Sequence, residues 1–351
     1  MATFLQLVSE RVQVEDSIDT VNNLFYERGW TDGLPIIPPT EERVRQMLAA
    51  VERDPQEEVA VLPISLAPAT VEKIAVNAVM AGCLPEYLPV IIAAVEALAE
   101  EKFNLLAIQA TTHLCGPLVV VNGPIAQRIG LNSKGNCFGP GVKANATIGR
   151  ALRLILLNIG GGIPVVADKS TQGSPAKYTY CVAENEEDSP WEPLHRERGF
   201  SSQDSTVTVF AAEGPHNIND HASITGKGIL MTAAATMATA GNNNLRNLEG
   251  EPILILGPEH ARTVARDGFS KEAVKDFIFE HARLPLKMLS EENIQSRRNS
   301  PQVFGEFVDS ERIPVARREH IVVMVLGGEG KHSCFVSTFG RSYSVTKRIK
   351  S

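Results

Sequence analysis

Two stretches of the chain decide the fold: residues 119–134, VVVNGPIAQRIGLNSK, and residues 253–271, ILILGPEHARTVARDGFSK. Each begins with a short apolar run, which is typical of a strand buried on both faces. Gly-Pro follows in both, and proline suits the first position of a helix. Both stretches end at Ser-Lys, which predicts the start of a second helix. We interpret them as two copies of one strand–helix unit.

The segments that follow the two copies also correspond. In each, an apolar run leads into a glycine turn, at residues 154–162 and at residues 321–328. A lysine-containing segment and a cysteine then follow both turns. The sequence therefore predicts an α/β protein made of two pseudo-repeated α/β halves with a parallel or mixed sheet. A cleft at their pseudo-twofold axis would be a common position for a ligand site.

Three parts are predicted along the chain. Residues 1–60 form an N-terminal helical arm or cap, residues 61–205 the first α/β half, and residues 206–351 the second. The arm contains a strap at residues 30–39, where three prolines exclude a helix and favour an extended segment. This strap either reaches into a neighbouring subunit of a homo-oligomer or forms a turn around Trp30.

Composition limits the class of protein. Among 351 residues, 34 are Lys or Arg and 41 are Asp or Glu, so the net charge is −7. Nucleic-acid-binding proteins usually carry a basic face, and this balance argues against one. The five cysteines form no CxxC pair, which is typical of reduced thiols in a cytoplasmic protein. The N-terminus lacks the basic region of a signal peptide, and no apolar stretch is typical of a membrane span.

A glycine-rich loop at residues 132–141, NSKGNCFGPG, is the strongest candidate for a ligand site. A helix predicted to begin near Val142 follows it, and free N–H groups at a helix start attract anions. The loop matches neither a P-loop nor the dinucleotide fingerprint, and no flavin motif is present. The alternative is a loop that only packs closely. The residues predicted to bind a carboxylate or phosphate are Lys134, Gly135, Asn136, Gly139, Gly141, Lys143, Asn145, Arg150 and Lys331.

One cysteine and three histidines are the catalytic candidates. Cys137 lies in the glycine-rich loop, where a helix start and lysines are expected to lower its pKa and make it a nucleophile; alternatively it is a small loop residue. His216 and His221 lie in a polar segment after a predicted strand, a usual place for active-site residues, although such a segment can also be a turn. His332 lies in a polar, glycine-rich segment. Each imidazole can act as an acid or a base.

Two His-x-Cys pairs allow two interpretations: a metal site, or a thiolate nucleophile beside its base. The sequence thus predicts either no cofactor or a single transition metal, with zinc as the expected ion. Residues two apart on a strand face the same side, so each pair can present an imidazole and a thiolate together. If the two halves meet at a twofold, the pairs approach each other and form a four-ligand zinc site. The predicted ligands are His113, Cys115, His332 and Cys334.

Four short motifs resemble a family of bacterial proteins of about this length that is described alongside the UGSC (seleno)protein group. They are AVNAVMAGCLPE at residues 75–86, WTDGLP at 30–35, NATIGR at 145–150 and GPEHA at 257–261. The resemblance covers nearly the whole chain and implies a bacterial, cytoplasmic, metabolic protein. The UGSC tetrapeptide is absent from the sequence, which argues against a selenoprotein-type redox role.

These observations predict an enzyme, a hydrolase or lyase that acts on a small anionic metabolite. Hydrolysis or lyase/hydratase chemistry would use histidine and cysteine at the interface of the two halves. One alternative is a metal-dependent enzyme with His-x-Cys ligands. Another is a non-catalytic accessory or binding subunit, which would tolerate alanine at the three histidines but not changes in the strap.

Overall fold

The structure, a computed structural model, describes residues 7–350. The N-terminal residues 1–6, where the sequence predicts no signal peptide, and residue 351 lie outside the described residues. The fold is mixed α/β, as the sequence predicts. The strands are β1 (Glu58–Leu62), β2 (Ala67–Thr70), β3 (Gly116–Asn122), β4 (Cys181–Ala183), β5 (Thr206–Ala212), β6 (His216–Asn219), β7 (Ile253–Leu256), β8 (Arg283–Pro285), β9 (Arg312–Pro314), β10 (Val322–Val325), β11 (His332–Val336) and β12 (Val345–Arg348).

Helices surround these strands, and several begin at a side-chain cap. Thr70, for example, accepts a hydrogen bond from the backbone N–H of Lys73. No helix within residues 7–350 has the length and apolar character needed to cross a bilayer. The α-helices are α1 (Ile18–Glu27), α2 (Glu41–Leu48), α3 (Val71–Ala81), α4 (Leu88–Leu98), α5 (Leu105–Ala110), α6 (Pro124–Arg128), α7 (Lys143–Asn158), α8 (Leu194–Glu197), α9 (Gly226–Met237), α10 (Asn243–Asn247), α11 (Pro258–Arg266), α12 (Lys271–His281), α13 (Glu291–Arg298) and α14 (Pro301–Phe304).

Two four-stranded mixed sheets form the centre of the molecule. The first has the order β12-β5-β3-β4, in which only β3 and β4 run parallel. The second has the order β10-β7-β11-β6, in which only β10 and β7 run parallel. The chain passes from the first sheet to the second between β5 and β6, and it returns between β11 and β12. Each sheet therefore depends on strands from distant parts of the sequence.

The two sheets pack face to face. Leu118 and Phe210 of the first sheet share one buried cluster with Ile255, Met324 and Val336 of the second. Side chains alternate along a strand, so the intervening residues point to the outer faces. Those of the first sheet pack against α3, α4 and α7, and those of the second against α9, α11 and α12. The order of layers is helices, sheet, sheet, helices.

The N-terminal strap lies along α7 of its own chain. Asp32 accepts two hydrogen bonds from the guanidinium of Arg150, both 2.9 Å long. Asn158 donates a hydrogen bond of 3.0 Å to the carbonyl of Trp30, whose ring packs edge-on against Phe25. The strap thus closes over the helical layer of the first sheet. Its exchange between subunits stays a prediction.

Four features differ from the sequence-based expectation. Ser133 and Lys134 start no helix, since α7 begins only at Lys143, whereas Lys271 begins α12 as predicted. Residues 154–158 form the second half of α7, whereas the matched run at 321–326 contains β10, because a short apolar run suits a buried helix as well as a strand. The segment at residues 216–219, predicted as part of a loop, forms β6. The boundary predicted at residues 205/206 does not separate the sheets, since β5 and β12 both lie in the first.

Loss of the contact between the strap and α7 should destabilise the fold. Removing the charge of Asp32, whose side chain is 2% exposed, with Asp32→Asn should lower the free energy of unfolding at pH 7 by about 2 kcal/mol. Burial alone would raise the pKa of Asp32, but the hydrogen bonds and charge of Arg150 hold it below its ordinary value. The carboxylate therefore stabilises the fold above its unfolded pKa of about 3.9, and this contribution is lost as the pH falls through the lower folded value.

Urea denaturation at pH 7 and at about pH 2.5 measures this effect, and the two proteins should differ less at the acidic pH. Glu187→Gln is the matched control, because it removes an exposed ion pair with Lys134 and should cost less than about 0.5 kcal/mol. Equal decreases in the free energy of unfolding of Asp32→Asn and Glu187→Gln at pH 7 would contradict the stabilising role assigned to the strap.

Candidate functional site

The candidate site lies where the parallel strands β7 and β10 end and β11 begins. Ligand sites of α/β proteins commonly lie beyond the carboxyl ends of parallel strands. His332 is the first residue of β11. Gly257, directly after β7, lies so close to the carbonyl of His332 that a side chain there would collide with it. Glycine at this position therefore allows α11 to start against β11.

An imidazole pair occupies this end of the second sheet. The Nε2 atoms of His221 and His332 are 3.1 Å apart, and the Oδ1 atom of Asn217 is 3.0 Å from Nδ1 of His332. An amide oxygen only accepts hydrogen bonds, so His332 carries its proton on Nδ1. Nε2 of His332 then accepts the proton of His221 Nε2–H. This leaves Nδ1 of His221 as the basic nitrogen of an exposed pair.

A buried histidine supports the backbone beneath this pair. Nδ1 of His260 lies 2.8 Å from the hydroxyl of Ser333, and its Nε2 lies 3.1 Å from the carbonyl of Asp220. Because a carbonyl only accepts, His260 carries its proton on Nε2. Burial lowers the pKa of His260, which keeps the ring neutral at neutral pH. Sequence reasoning missed this residue, since Glu259 and His260 together indicate only a helix start.

Asp220 fixes the segment that carries His221. Its carboxylate accepts hydrogen bonds from the backbone N–H of Ser223 at 2.9 Å and from the hydroxyl of Thr232 at 2.7 Å. Burial alone would raise the pKa of Asp220, but these hydrogen bonds lower it to about 2. The charged carboxylate therefore holds the turn after β6 in place, next to Lys331, whose ammonium donates to the carbonyl of His221 at 3.3 Å.

Two thiols adjoin the site from the space between the sheets. Cys334 of β11 lies opposite Asn217 of β6 and is half-buried. It packs against the buried cluster between the sheets, to which Cys137 belongs. Burial raises the pKa of both thiols, that of Cys137 to about 11. The predicted lowering of the Cys137 pKa is therefore wrong. The loop turns this thiol into the protein interior, where desolvation outweighs the helix start and the lysines.

The glycine-rich loop uses its polar groups internally. Asn145 is buried: its Oδ1 accepts from the N–H of Asn132, and its Nδ2 donates to the carbonyls of Asn132 and Cys137. The side chain of Asn136, which lies against Gly139, donates to the carbonyl of Pro140 at 2.7 Å. These contacts match the interpretation of a closely packed loop.

The loop also packs against the second glycine segment. The N–H of Gly327 donates to the carbonyl of Ser133 at 2.8 Å, and Gly328 lies against Gly135. Gly141 adopts a positive φ just before α7 begins. The two loops thus pack directly against each other.

The predicted anion-binding cations have different surroundings. Arg150 is engaged by Asp32 and by the carbonyls of Leu34 and Pro35. Lys134 forms an exposed ion pair of 2.7 Å with Glu187. Within residues 7–350, Lys143 and Lys331 have no ion pair. Among the contacts within residues 7–350, Lys331 reaches the segment that carries the imidazole pair, through the carbonyl of His221.

The remaining predicted site residues do not converge. His113 and Cys115 precede β3 outside any strand. Nε2 of His113 is 2.6 Å from Oε1 of Glu213, and Cys115 belongs to the cluster on the helical side of the first sheet. Within the described part of the chain, no group of three or more His, Cys, Asp and Glu side chains is arranged to hold a metal ion. His216 is exposed at the start of β6, outside the imidazole pair.

Comparisons with protein-family models, curated proteins and solved structures give no match to this chain. The resemblance to the bacterial family therefore stays an expectation from the sequence. The cytoplasmic location and the homo-oligomer also stay predictions.

The environment of Cys137 predicts slow alkylation. Iodoacetamide reacts with the thiolate, so Cys334 should be labelled before the more deeply buried Cys137, and the Cys137 rate should keep rising between about pH 7 and pH 10. Peptide mapping by mass spectrometry measures both sites, with the unfolded protein as the control for complete labelling. A Cys137 rate that reaches a plateau below about pH 8 would contradict this result.

Proposed function

We propose that the protein is an enzyme that transfers protons on a small carboxylate- or phosphate-bearing metabolite, with His221 and His332 as its acid–base pair. The observation that carries the proposal is the 3.1 Å contact between the two Nε2 atoms, with Asn217 holding Nδ1 of His332. A hydrogen bond at one ring nitrogen determines the protonation of the other. Asn217 thus serves as the positioning residue.

The pair is suited to take up a proton and return it. Nδ1 of His221 accepts a proton from the substrate or from a bound water molecule. The resulting positive charge is shared with His332 through the Nε2–H···Nε2 hydrogen bond. The same nitrogen then returns the proton to the leaving group, which completes hydrolysis or lyase/hydratase chemistry.

Charge at the site supports an anionic substrate. The ammonium of Lys331 contacts a neutral carbonyl. By contrast, Lys134 is paired with Glu187 at 2.7 Å and Arg262 with Glu329 at 2.6 Å. Lys331 is therefore the cation that would receive a substrate carboxylate or phosphate. The raised pKa of the Cys137 and Cys334 thiols favours proton transfer over attack by a thiolate.

We also infer that the two sheets are copies of one unit. In the order β4-β3-β5-β12 and in the order β10-β7-β11-β6, the neighbours run parallel, antiparallel and antiparallel. Gly123 after β3 lies against the carbonyl of Asp204, just as Gly257 after β7 lies against that of His332. The matching strand directions and glycine contacts support duplication of one unit.

Proton nuclear magnetic resonance in heavy water tests the proposal. The protein is incubated with a panel of small hydroxy-, oxo- and unsaturated carboxylates and phosphate esters, and exchange, hydration, dehydration and hydrolysis are recorded together. His221→Gln and His332→Gln should slow the reaction by about 100-fold or more, because a positioned base contributes about 10²–10⁴. Lys331→Met should mainly raise KM.

His281→Gln is the matched control, because this histidine stacks on Phe277 in α12 and lies outside the pair. It should keep the wild-type rate, and circular dichroism should show that all variants are folded. A wild-type rate in His332→Gln would contradict the proposal. A wild-type protein that converts nothing in the panel would favour the accessory-subunit alternative.

A further inference from the structure

A narrow cleft lies beside α7, at the opposite end of β3 from the strand's carboxyl terminus. The cleft opens to solvent, and the centres of water-sized groups can occupy about 30 Å³ of it. It therefore has room for the carboxylate of a small ligand, whose remaining atoms extend toward the open mouth. The cleft shares no residue with the imidazole pair, so a ligand bound here would be independent of the proposed function. Its polar lining includes Gln109, Arg153, Asp168 and Lys177, and its apolar lining includes Leu152 and Leu156.

The guanidinium of Arg153 is the incompletely paired cation of this cleft. Lys177 contacts both oxygens of Asp168, at 2.7 and 2.9 Å, and the two groups neutralise each other. Within residues 7–350, Arg153 has only long contacts, 4.0 Å to Asp168 and 3.4 Å to the carbonyl of Gly162. A guanidinium has five N–H donors in a planar fork. Most of them are therefore available to a ligand, and the net charge of the three groups is about +1.

Gln109 adds an unsatisfied acceptor to the same cleft. The residue is 6% exposed, and its Nε2 donates to the carbonyl of Pro63. Its Oε1 atom is buried and has no hydrogen-bond partner within residues 7–350. That oxygen lies against Gly162, the residue whose carbonyl Arg153 contacts. A buried acceptor of this kind requires a donor, and here the donor can come from a ligand.

We propose that the cleft binds a small 2-hydroxycarboxylate. The planar carboxylate pairs with the fork of Arg153, which matches it in shape and charge. The adjacent hydroxyl donates its hydrogen bond to Oε1 of Gln109. A short alkyl group lies against Leu152 and Leu156.

The charge balance disfavours a phosphate dianion. One incompletely paired guanidinium matches one negative charge, and the carboxylate of Asp168 would repel a second. A carboxylate without a hydroxyl would leave Oε1 of Gln109 without a donor. The cleft should therefore discriminate between compounds that differ only in that hydroxyl, because an unpaired buried polar group weakens binding strongly.

Isothermal titration calorimetry of the full chain with lactate, propionate and inorganic phosphate tests the proposal. Lactate should bind saturably, and propionate, which lacks only the hydroxyl, should bind about tenfold more weakly. Arg153→Gln should weaken lactate binding by about tenfold or more. Gln109→Met should weaken lactate binding while leaving propionate binding nearly unchanged.

Arg298→Gln is the matched control, because this exposed arginine lies 3.7 Å from Asp309 and away from the cleft. It should bind lactate like the wild type. Absence of saturable lactate binding, equal binding by Arg153→Gln, or tighter binding of phosphate would overturn the proposal. If Gln109→Met does not fold, the role of Gln109 is tested by comparing lactate with propionate on the wild-type protein. Equal affinities of the wild type for lactate and propionate would overturn the proposed role of Gln109.

Discussion

Burial of two sheets against each other, with helices on both outer faces, holds this molecule together. Phe210 and Leu118 from one sheet and Ile255 and Met324 from the other lose nearly all contact with water at that interface. Complete burial of one such side chain stabilises a fold by about 1.5–3 kcal/mol. The strand connections reinforce the interface, because the chain crosses from sheet to sheet after β5 and again after β11.

The same alternation that builds the interface also places the candidate site. Along β11, Ser333 and Phe335 point toward the helices of the second sheet, whereas His332 and Cys334 lie on the side that faces the first. Cys334 packs against the apolar cluster between the sheets. His332, the first residue of β11, lies at the edge of that cluster and is exposed. An imidazole is thus held on a rigid strand at the point where the dry interface gives way to water.

Local signals account for the parts of the fold that sequence reasoning predicted. The apolar runs of β3 and β7 and the Gly-Pro steps after them are short-range patterns, and both strands form where they were expected. The helical period from residue 143 onward is also local, although its apolar second half resembles a buried strand. Segment 216–219 has no apolar alternation to mark it, and it becomes β6 only because β11 pairs with it.

Long-range contacts explain what the sequence could not predict. The sequence indicates that Arg150 binds an anionic ligand. In the structure its guanidinium instead binds the carboxylate of Asp32, which is 118 positions away in the sequence. Cys137 looks reactive because its neighbours in sequence are lysines and a helix start, but its neighbours in space are apolar. Arg153 lies in a helix whose periodicity indicates only packing, and nothing in its sequence surroundings indicates a cleft.

The action of the imidazole pair depends on which ring nitrogen of His332 carries the proton. Nitrogen-15 chemical shifts of the imidazole rings report directly which nitrogen carries the proton. At a pH at which the ring is neutral, the account predicts a proton on Nδ1 of His332 and a bare Nε2, and a change in this pattern in Asn217→Ala. A His332 ring protonated on Nε2 and unaffected by Asn217→Ala would contradict the account.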